Sequence, residues 1–149
     1  MQGKLNTLKF NEFKDQADDY LKKSQFFEAL EFYEKCLRIT RKATTLDNMA
    51  IYVNKIACLL SLEKFNQVVS ECNDAYRLIK NYQNRNLKMS QDDQKRIKSM
   101  TLKVSVRKAT AQTKLGKVTE AISEYEKALA IEPDNATLKK KLDILRKSQ

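Results

Sequence analysis

Apolar residues recur at helical spacing along almost the whole chain, and only short polar stretches interrupt the pattern. The interruptions fall at Ser24-Gln25, 41–45, Glu63-Lys64, 83–90, Gly116-Lys117 and 133–135. They divide the chain into seven predicted helices. The 149 residues include two glycines and one proline, where average usage would supply about ten and about seven. Because tight turns depend on these residues, a sheet protein with many turns is disfavoured and the pattern predicts an all-α fold.

The composition argues against most kinds of catalytic site. The chain has no histidine, which excludes Ser-His-Asp and Cys-His nucleophiles and most zinc sites. It also has no glycine-rich phosphate loop. Acidic residues cluster on the first predicted helix, at Glu12, Asp15, Asp18 and Asp19. Since acidic residues are favourable near a helix N-terminus, we interpret them as such a charge set, and we predict a non-enzyme with no cofactor and no metal.

The cysteines and the hydropathy of the chain indicate its cellular compartment. Cys36, Cys58 and Cys72 form no CxxC pair, and each falls inside a helical pattern. This usage is typical of a reducing compartment, where thiols pack as small apolar groups. No apolar run approaches the roughly 18 residues of a membrane span, and the first ten residues lack the apolar core of a signal peptide. We therefore expect a cytosolic monomer with no membrane partner.

A formal charge of +10 favours an anionic partner. Nucleic acid, an acidic peptide and a membrane surface are all compatible with it, and so is a well-solvated helical surface. Basic residues concentrate near the C-terminus, at Lys139, Lys140, Lys141, Arg146 and Lys147. Because lysines at a helix end commonly serve solubility and the helix dipole, we consider nucleic acid an unlikely partner.

Three segments share one spacing of small and aromatic residues. In the first, Ala17 is followed by Ala29, Tyr33 and Cys36. The same spacing joins Ile56 to Val68, Cys72 and Ala75, and Ala109 to Ala121, Tyr125 and Ala128. This pattern resembles the tetratricopeptide repeat, with its A-x3-F and terminal proline positions, and the last segment with Pro133 matches it most closely. The resemblance implies three helical hairpins in a right-handed superhelix, each made of a helix A and a helix B.

The resemblance also implies the layout of the chain. We expect a single domain over residues 1–149, with repeats at about 10–43, 46–82 and 91–135 and a capping helix at about 136–147. The repeat starts lie further apart than the 34 residues of the family, which predicts a longer turn at 41–45 and an extended junction. In that junction, helix 2B should continue past Tyr82 and helix 3A should begin near Gln91, capped by Ser90 with Asp93. Gly116 suits a left-handed helix end.

One branch of this family binds the tails of chaperones through a carboxylate clamp on the A helices. The resemblance places the clamp positions of this chain at Lys14, Asp18, Asn54, Lys103 and Arg107. It implies that Lys14 and Asn54 hold a terminal carboxylate, and that Lys103 and Arg107 hold a side-chain carboxylate or peptide carbonyls. Leu21, Ala57 and Thr110 should flank them and shape the apolar part of the site. Lys103 and Arg107 lie one turn apart with no acidic residue four positions away, as expected of cations that await an anion.

Asp18 departs from the clamp pattern, which has asparagine at this position. An ionised carboxylate offers no donor and repels an arriving carboxylate, although it can pair with Lys14 at i,i+4. We therefore expect weaker binding than a full clamp gives, or a different preferred tail.

The resemblance thus implies a co-chaperone interaction module that binds the Glu-Glu-Val-Asp tail of cytosolic 90-kDa or 70-kDa heat-shock chaperones. Its client or second domain is not identified. The middle repeat, the junction and residues 106–135 most resemble the C-terminal repeats of axonemal dynein assembly factors. Two alternatives remain: a scaffold that binds another protein segment through a decayed clamp, and an RNA-binding α-solenoid. Base-stacking aromatics would favour the latter, but most Tyr and Phe fall at repeat-packing positions.

Overall fold

The computed structural model describes residues 2–40 and 45–149. Within these ranges the secondary structure is entirely helical, as predicted. The seven helices are α1 (Gln2–Lys22), α2 (Phe26–Ile39), α3 (Leu46–Ser61), α4 (Phe65–Arg85), α5 (Gln91–Lys114), α6 (Val118–Ile131) and α7 (Ala136–Lys147). Of the longer turn predicted at 41–45, residues 41–44 lie outside the described ranges.

The helices pack as three successive hairpins and a final single helix. Helices α1 and α2, α3 and α4, and α5 and α6 form the hairpins, and α7 packs on α6. Helix α3 also contacts α2 and α5, and α4 contacts α5, so each hairpin packs on the next. Helices α1, α3 and α5 are the A helices, and α2, α4 and α6 are the B helices. The hairpins and the C-terminal helix are those predicted from the repeat spacing.

Side-chain caps explain where several helices begin. The Ser90 hydroxyl accepts the Asp93 N–H at 3.1 Å at the start of α5, as predicted. The Thr45 hydroxyl caps α3 in the same way, and the side-chain oxygen of Asn135 caps α7. Helix α4 continues to Arg85, which confirms the extended junction, and α6 ends two residues before Pro133.

The turns inside the three hairpins share a left-handed residue at one repeat position. Gly116 has φ 75° there, as predicted. Ser24 and Glu63 occupy the equivalent places in the first two hairpins, each with φ 58°. The same left-handed backbone conformation therefore occurs in all three turns, and only the third turn has glycine, the residue that favours it.

Buried side chains form three clusters that follow the hairpins along the chain. Tyr33, Cys36 and Ile51 join the first hairpin to the second, and Val68, Cys72 and Val104 join the second to the third. In the last cluster, Leu138, Leu142 and Leu145 of α7 cover Ala121 and Tyr125 of α6. The aromatic side chains of Tyr33 and Tyr125 thus fill gaps between helices, as the repeat pattern predicts.

The three cysteines are free and buried, as their positions in the pattern predict. Burial raises the pKa of Cys36 and Cys58 to about 11 and that of Cys72 to about 12, so all three are protonated thiols at neutral pH. Across the described ranges, no helix combines the length and apolar character needed to cross a bilayer.

Two ion pairs between A and B helices repeat along the solenoid. Lys55 of α3 pairs with Glu71 of α4 at 2.9 Å, and Lys108 of α5 pairs with Glu124 of α6 at 3.0 Å. Each lysine lies sixteen positions before its glutamate, at the same repeat position. All four side chains are at most 17% exposed, so these pairs lie in the interface within each hairpin. The first hairpin has Gln16 and Phe32 at the corresponding places.

Candidate peptide-binding groove

The clamp positions lie on the A helices, where helical periodicity sets their side chains on one face. Lys103 and Arg107 are one turn apart on α5, and Lys14 and Asp18 are one turn apart on α1. Asn54 lies on α3 between these two helices. We call the face shared by α1, α3 and α5 the groove. Its α1 side and its α5 side differ in their charged groups.

On the α1 side, Lys14, Asp18 and Asn54 meet around the hydroxyl of Tyr33. Lys14 donates to one oxygen of Asp18 at 2.8 Å, which confirms the predicted i,i+4 pair. Tyr33, on α2, donates to the other oxygen of Asp18. The amide of Asn54 lies close enough to the Tyr33 hydroxyl to lower its pKa. We call these four residues the Tyr33 network.

The electrostatics of the Tyr33 network follow from these contacts. The hydrogen bond to Asp18 raises the pKa of Lys14, against a smaller lowering from partial burial. Burial, followed by the bond to Asp18, raises the pKa of Tyr33, while the amide of Asn54 lowers it. Lys14 is therefore a firmly protonated cation, and a carboxylate of its own chain already holds it.

On the α5 side the two cations differ in their surroundings. Arg107 Nη1 donates to the carbonyl oxygen of Val53, on α3, at 2.7 Å. Burial lowers the pKa of Arg107, and the guanidinium keeps further donors for a ligand. Lys103 is exposed, and no residue in the described part of the chain pairs with it. Lys103 thus has no partner among the described residues, and Arg107 has one main-chain contact; their role as cations for a ligand stays a prediction.

A third cation continues this face of α5. Arg96 lies seven residues before Lys103, which is about 10 Å along the axis and about 20° around it. It pairs with Asp47, in the first turn of α3, at 3.1 Å. Asp47 also contributes to the raised pKa of Lys14, although less than Asp18 and Asp15. The α5 side of the groove is thus basic, whereas on the α1 side Lys14 lies near the carboxylates of Asp18, Asp15 and Asp47.

The three flanking residues predicted from the resemblance are half-buried. Leu21 packs against the first core cluster. Thr110 donates its hydroxyl to the carbonyl of Val106 at 2.8 Å, which leaves its methyl group as its apolar surface. Ala57 lies on α3, three residues after Asn54. Their role beside a ligand stays a prediction.

An open cleft of about 580 Å³ lies beside the N-terminal halves of α1 and α3. Thr7, Asn11 and Asp47 are among the residues that line it, and the clamp positions are not. This cleft is therefore distinct from the surface that carries the clamp positions.

Tyr33 is the residue of this site that the sequence-based reasoning missed. Its position was assigned to packing between repeats, and its ring is fully buried there. A signal was available, because the repeat pattern accepts phenylalanine at this place and a buried tyrosine hydroxyl usually has a hydrogen-bond partner.

A family model described as "Tetratricopeptide repeat" matches residues 102–135. The match covers the third hairpin from Leu102 onward, and the first eleven residues of α5 lie outside it.

Known proteins share low sequence identity with the chain. It is 23% identical over 129 residues to the DnaJ homolog subfamily C member 7 homolog of Dictyostelium discoideum, over 87% of this chain and 20% of the relative. It is 25% identical over 135 residues to rat dynein axonemal assembly factor 4, over 89% of this chain and 28% of the relative. The chain thus spans less than a third of the length of these relatives.

Solved structures match almost the whole chain. The TPR domain of Arabidopsis OM64 superposes with a TM-score of 0.74 and 24% identity, over 97% of this chain and 99% of that domain. The first TPR of Spaghetti (RPAP3), bound to the HSP90 peptide SRMEEVD, gives 0.71 and 23%, over 95% and 93%. The second TPR domain of human RPAP3, in complex with the HSP70 peptide SGPTIEEVD, gives 0.68 and 20%, over 95% and 98%. These likenesses confirm the predicted tetratricopeptide-repeat fold.

Proposed function

The chain has the tetratricopeptide-repeat fold, and on this premise we propose that it binds the acidic C-terminal tail of a 90-kDa or 70-kDa heat-shock chaperone. Domains of this fold are protein-interaction modules. The proposed module has no catalysis of its own and works in the cytosol as part of a co-chaperone. Two neighbours in fold are described in complex with tails that end in Glu-Glu-Val-Asp, which supports this ligand class.

The observation that carries the proposal is the arrangement of cations on α5. Lys103 is exposed and has no partner within the described residues, and Arg107 lies one turn further with donors to spare. Holding two like charges one turn apart costs about 0.2–0.5 kcal/mol in an isolated helix. An acidic ligand would relieve this cost and form charge-assisted hydrogen bonds, which are about twice as strong as neutral ones.

Asn54 supplies the polar contact opposite these cations. We propose that its amide and the ammonium of Lys14 face the end of the peptide, while Leu21, Ala57 and Thr110 contact apolar groups. Because Arg107 and the Tyr33 network are held by protein contacts before a ligand arrives, less ordering entropy is lost on binding.

The test compares two lysines of the same helix. Lys98 is exposed and lines a different cleft, with Gln83 and Ile131. Binding of fluorescent SRMEEVD and SGPTIEEVD peptides is measured by anisotropy for the unmodified protein, Lys103→Ala and Lys98→Ala. We expect Lys103→Ala to weaken binding by about ten- to a hundredfold, the value of a hydrogen bond between charged groups. Lys98→Ala should change it less than about twofold, because charges on the far side are screened.

Equal losses in the two variants would indicate attraction by the net charge and would contradict a specific site. Single-stranded RNA serves as a third ligand in the same titration. RNA binding tighter than peptide binding would favour the α-solenoid alternative over the proposed function.

A second candidate is a scaffold that uses this groove for another protein segment. The contact of Lys14 with Asp18 favours it, because the cation assigned to the terminal carboxylate already has a carboxylate partner at 2.8 Å. The similarity to rat dynein axonemal assembly factor 4 supports a place in dynein arm preassembly for either candidate. Co-purification of dynein heavy chains with the full-length protein from ciliated cells tests that place.

A further inference from the structure

We propose that the groove recognises the acidic side chains of its ligand and not the free carboxylate at the ligand's end. Acidic segments that continue past the groove are then ligands of the same class as acidic tails. The inference rests on the proposed function, because it assigns both kinds of peptide to the same groove. It names Asp18 as the residue that sets this selectivity and Tyr33 as the residue that positions Asp18.

On the α1 side, a carboxylate of the chain itself already holds the cation. Both oxygens of Asp18 are engaged, one by Lys14 and one by Tyr33. A ligand carboxylate that approaches Lys14 therefore meets a cation with a fixed carboxylate one hydrogen bond away. Two carboxylates that share a site repel each other strongly, whereas a neutral carbonyl accepts from Lys14 without repulsion. A peptide amide or a continuing main chain offers such a carbonyl.

Tyr33 is the residue that positions Asp18. Its ring is fully buried between the first two hairpins, so its hydroxyl has a fixed location. The hydroxyl, which belongs to α2, donates to Asp18 on α1 and so ties this clamp position to the neighbouring helix. The carboxylate of Asp18 is thus held beside Lys14 and is not free to swing away when an anion arrives.

The length of the basic face supports the same inference. Arg96 extends the α5 side by about 10 Å beyond Lys103, which is about three residues of extended peptide. Its pair with Asp47 is exposed on both sides, at 45% and 70%. Such surface pairs contribute little stability, and a ligand carboxylate can replace Asp47. The basic face is therefore longer than the part of the peptide that Lys103 and Arg107 hold, and it can contact the acidic side chains of a longer segment.

The experiment uses three peptides with the same acidic residues. One is SRMEEVD as the free acid, the second is its C-terminal amide, and the third continues with Gly-Ser-Gly-Ser after the aspartate. Dissociation constants are measured for the unmodified protein, Asp18→Asn, Tyr33→Phe and the double variant. Asp19→Asn is the matched control, because Asp19 is an exposed neighbour that pairs with Lys23. Thermal unfolding of each variant reports changes in stability separately.

For the unmodified protein and Asp19→Asn, we expect the three peptides to bind within about threefold of one another. The terminal carboxylate adds no net attraction there, because Asp18 already neutralises the charge of Lys14. Asp18→Asn should bind the free acid at least about tenfold more tightly than the amide, since Lys14 then has no carboxylate partner. Tyr33→Phe removes the bond that holds Asp18 beside Lys14, so Asp18 can move away from an arriving carboxylate, and the ratio should shift toward the free acid. In the Asp18→Asn background the same change should leave the ratio unchanged.

A merely structural role for Tyr33 would lower thermal stability without moving the acid-to-amide ratio, and that result would overturn its assignment as a positioning residue. A preference of the unmodified protein for the free acid by tenfold or more would overturn the inference and leave the proposed function standing. Failure of all three peptides to bind would overturn the proposed function, and the inference with it.

Discussion

At the scale of single residues, Glu124 is the centre of a network of buried polar contacts between the second and third hairpins. Its side chain is 5% exposed and accepts hydrogen bonds from Tyr76 at 2.7 Å and Lys127 at 3.2 Å. Lys108 pairs with it at 3.0 Å, and Ser105 lies 2.7 Å from the Tyr76 hydroxyl. Because Tyr76 gives its single proton to Glu124, the hydroxyl of Ser105 donates to Tyr76. The network joins helices α4, α5 and α6.

Glu124→Ala should lower the free energy of unfolding by about 2–4 kcal/mol, because it leaves the nearly buried ammonium of Lys108 without its carboxylate. Chemical denaturation followed by circular dichroism measures the loss. Glu126→Ala is the matched control, since Glu126 pairs with Arg146 at 3.4 Å with both side chains about half exposed. Exposed pairs contribute about 0–1 kcal/mol. Similar losses in both variants would show that the network adds nothing beyond an ordinary surface pair.

The same residue makes stability depend on pH. Burial acts to raise the pKa of Glu124, but the hydrogen bonds from Tyr76 and Lys108 and the nearby lysine charges outweigh it, so the net pKa is lowered. A carboxyl with a lowered folded pKa contributes stability above its unfolded pKa of about 4.3 and loses it as the pH falls through the folded value. The stability difference between the unmodified protein and Glu124→Gln should therefore shrink as the pH falls from about 6 to about 3. A difference that stays constant over this range would contradict the assignment.

At the scale of elements, the turns inside the hairpins decide how each helix A passes into helix B. Gly116 has φ 75°, and a Cβ atom added there would meet nothing within 4 Å. Gly116→Ala should thus destabilise through backbone strain alone, by about 1–2 kcal/mol. The other glycine of the chain, Gly3, lies within α1 in equally open space, and Gly3→Ala should cause no loss because alanine favours the helix. Denaturant midpoints of the two variants make the comparison, and equal midpoints would rule out strain at Gly116.

The elements were predictable where a side chain or a special residue marks a boundary. Ser90 marks the start of α5 through its cap, and Gly116 marks the turn after it. The equivalent turns at Ser24 and Glu63 were not predicted to be left-handed, because neither residue favours positive φ and tertiary packing imposes it. The spacing of apolar residues indicates which face of a helix is apolar. It does not indicate which turn residue has a positive φ.

The contacts among the candidate site residues were predictable only in part. Helical spacing and the family resemblance indicated the clamp positions and the contact of Lys14 with Asp18. They did not indicate the contact of Arg107 with Val53 or the pairing of Lys108 with Glu124. Both depend on how two helices are rotated against each other. Charged residues on an amphipathic helix look the same in sequence whether they face water or a neighbouring helix.

At the scale of the whole molecule, the hairpins form a nearly linear series of contacts. Helix α7 packs on α6, and the three core clusters follow one another along the chain. In such a solenoid each unit is stabilised chiefly by its neighbours, so a lesion at one end is felt most strongly there. The groove is built mainly on α1, α3 and α5, and it is therefore partly insulated from changes at the C-terminal end.

Leu142→Ala tests this linear arrangement. Leu142 is 3% exposed in the last core cluster, and its truncation should cost about 2–5 kcal/mol, the usual range for a buried leucine. Ile144 is 57% exposed on the same helix, so Ile144→Ala should cost less than about 0.5 kcal/mol and serves as the control. Hydrogen exchange of backbone amides, measured helix by helix, shows where protection is lost. If stability is additive along the solenoid, Leu142→Ala accelerates exchange in α6 and α7 well before α1 and α2. Uniform acceleration in all seven helices would instead show that the protein opens as one cooperative unit.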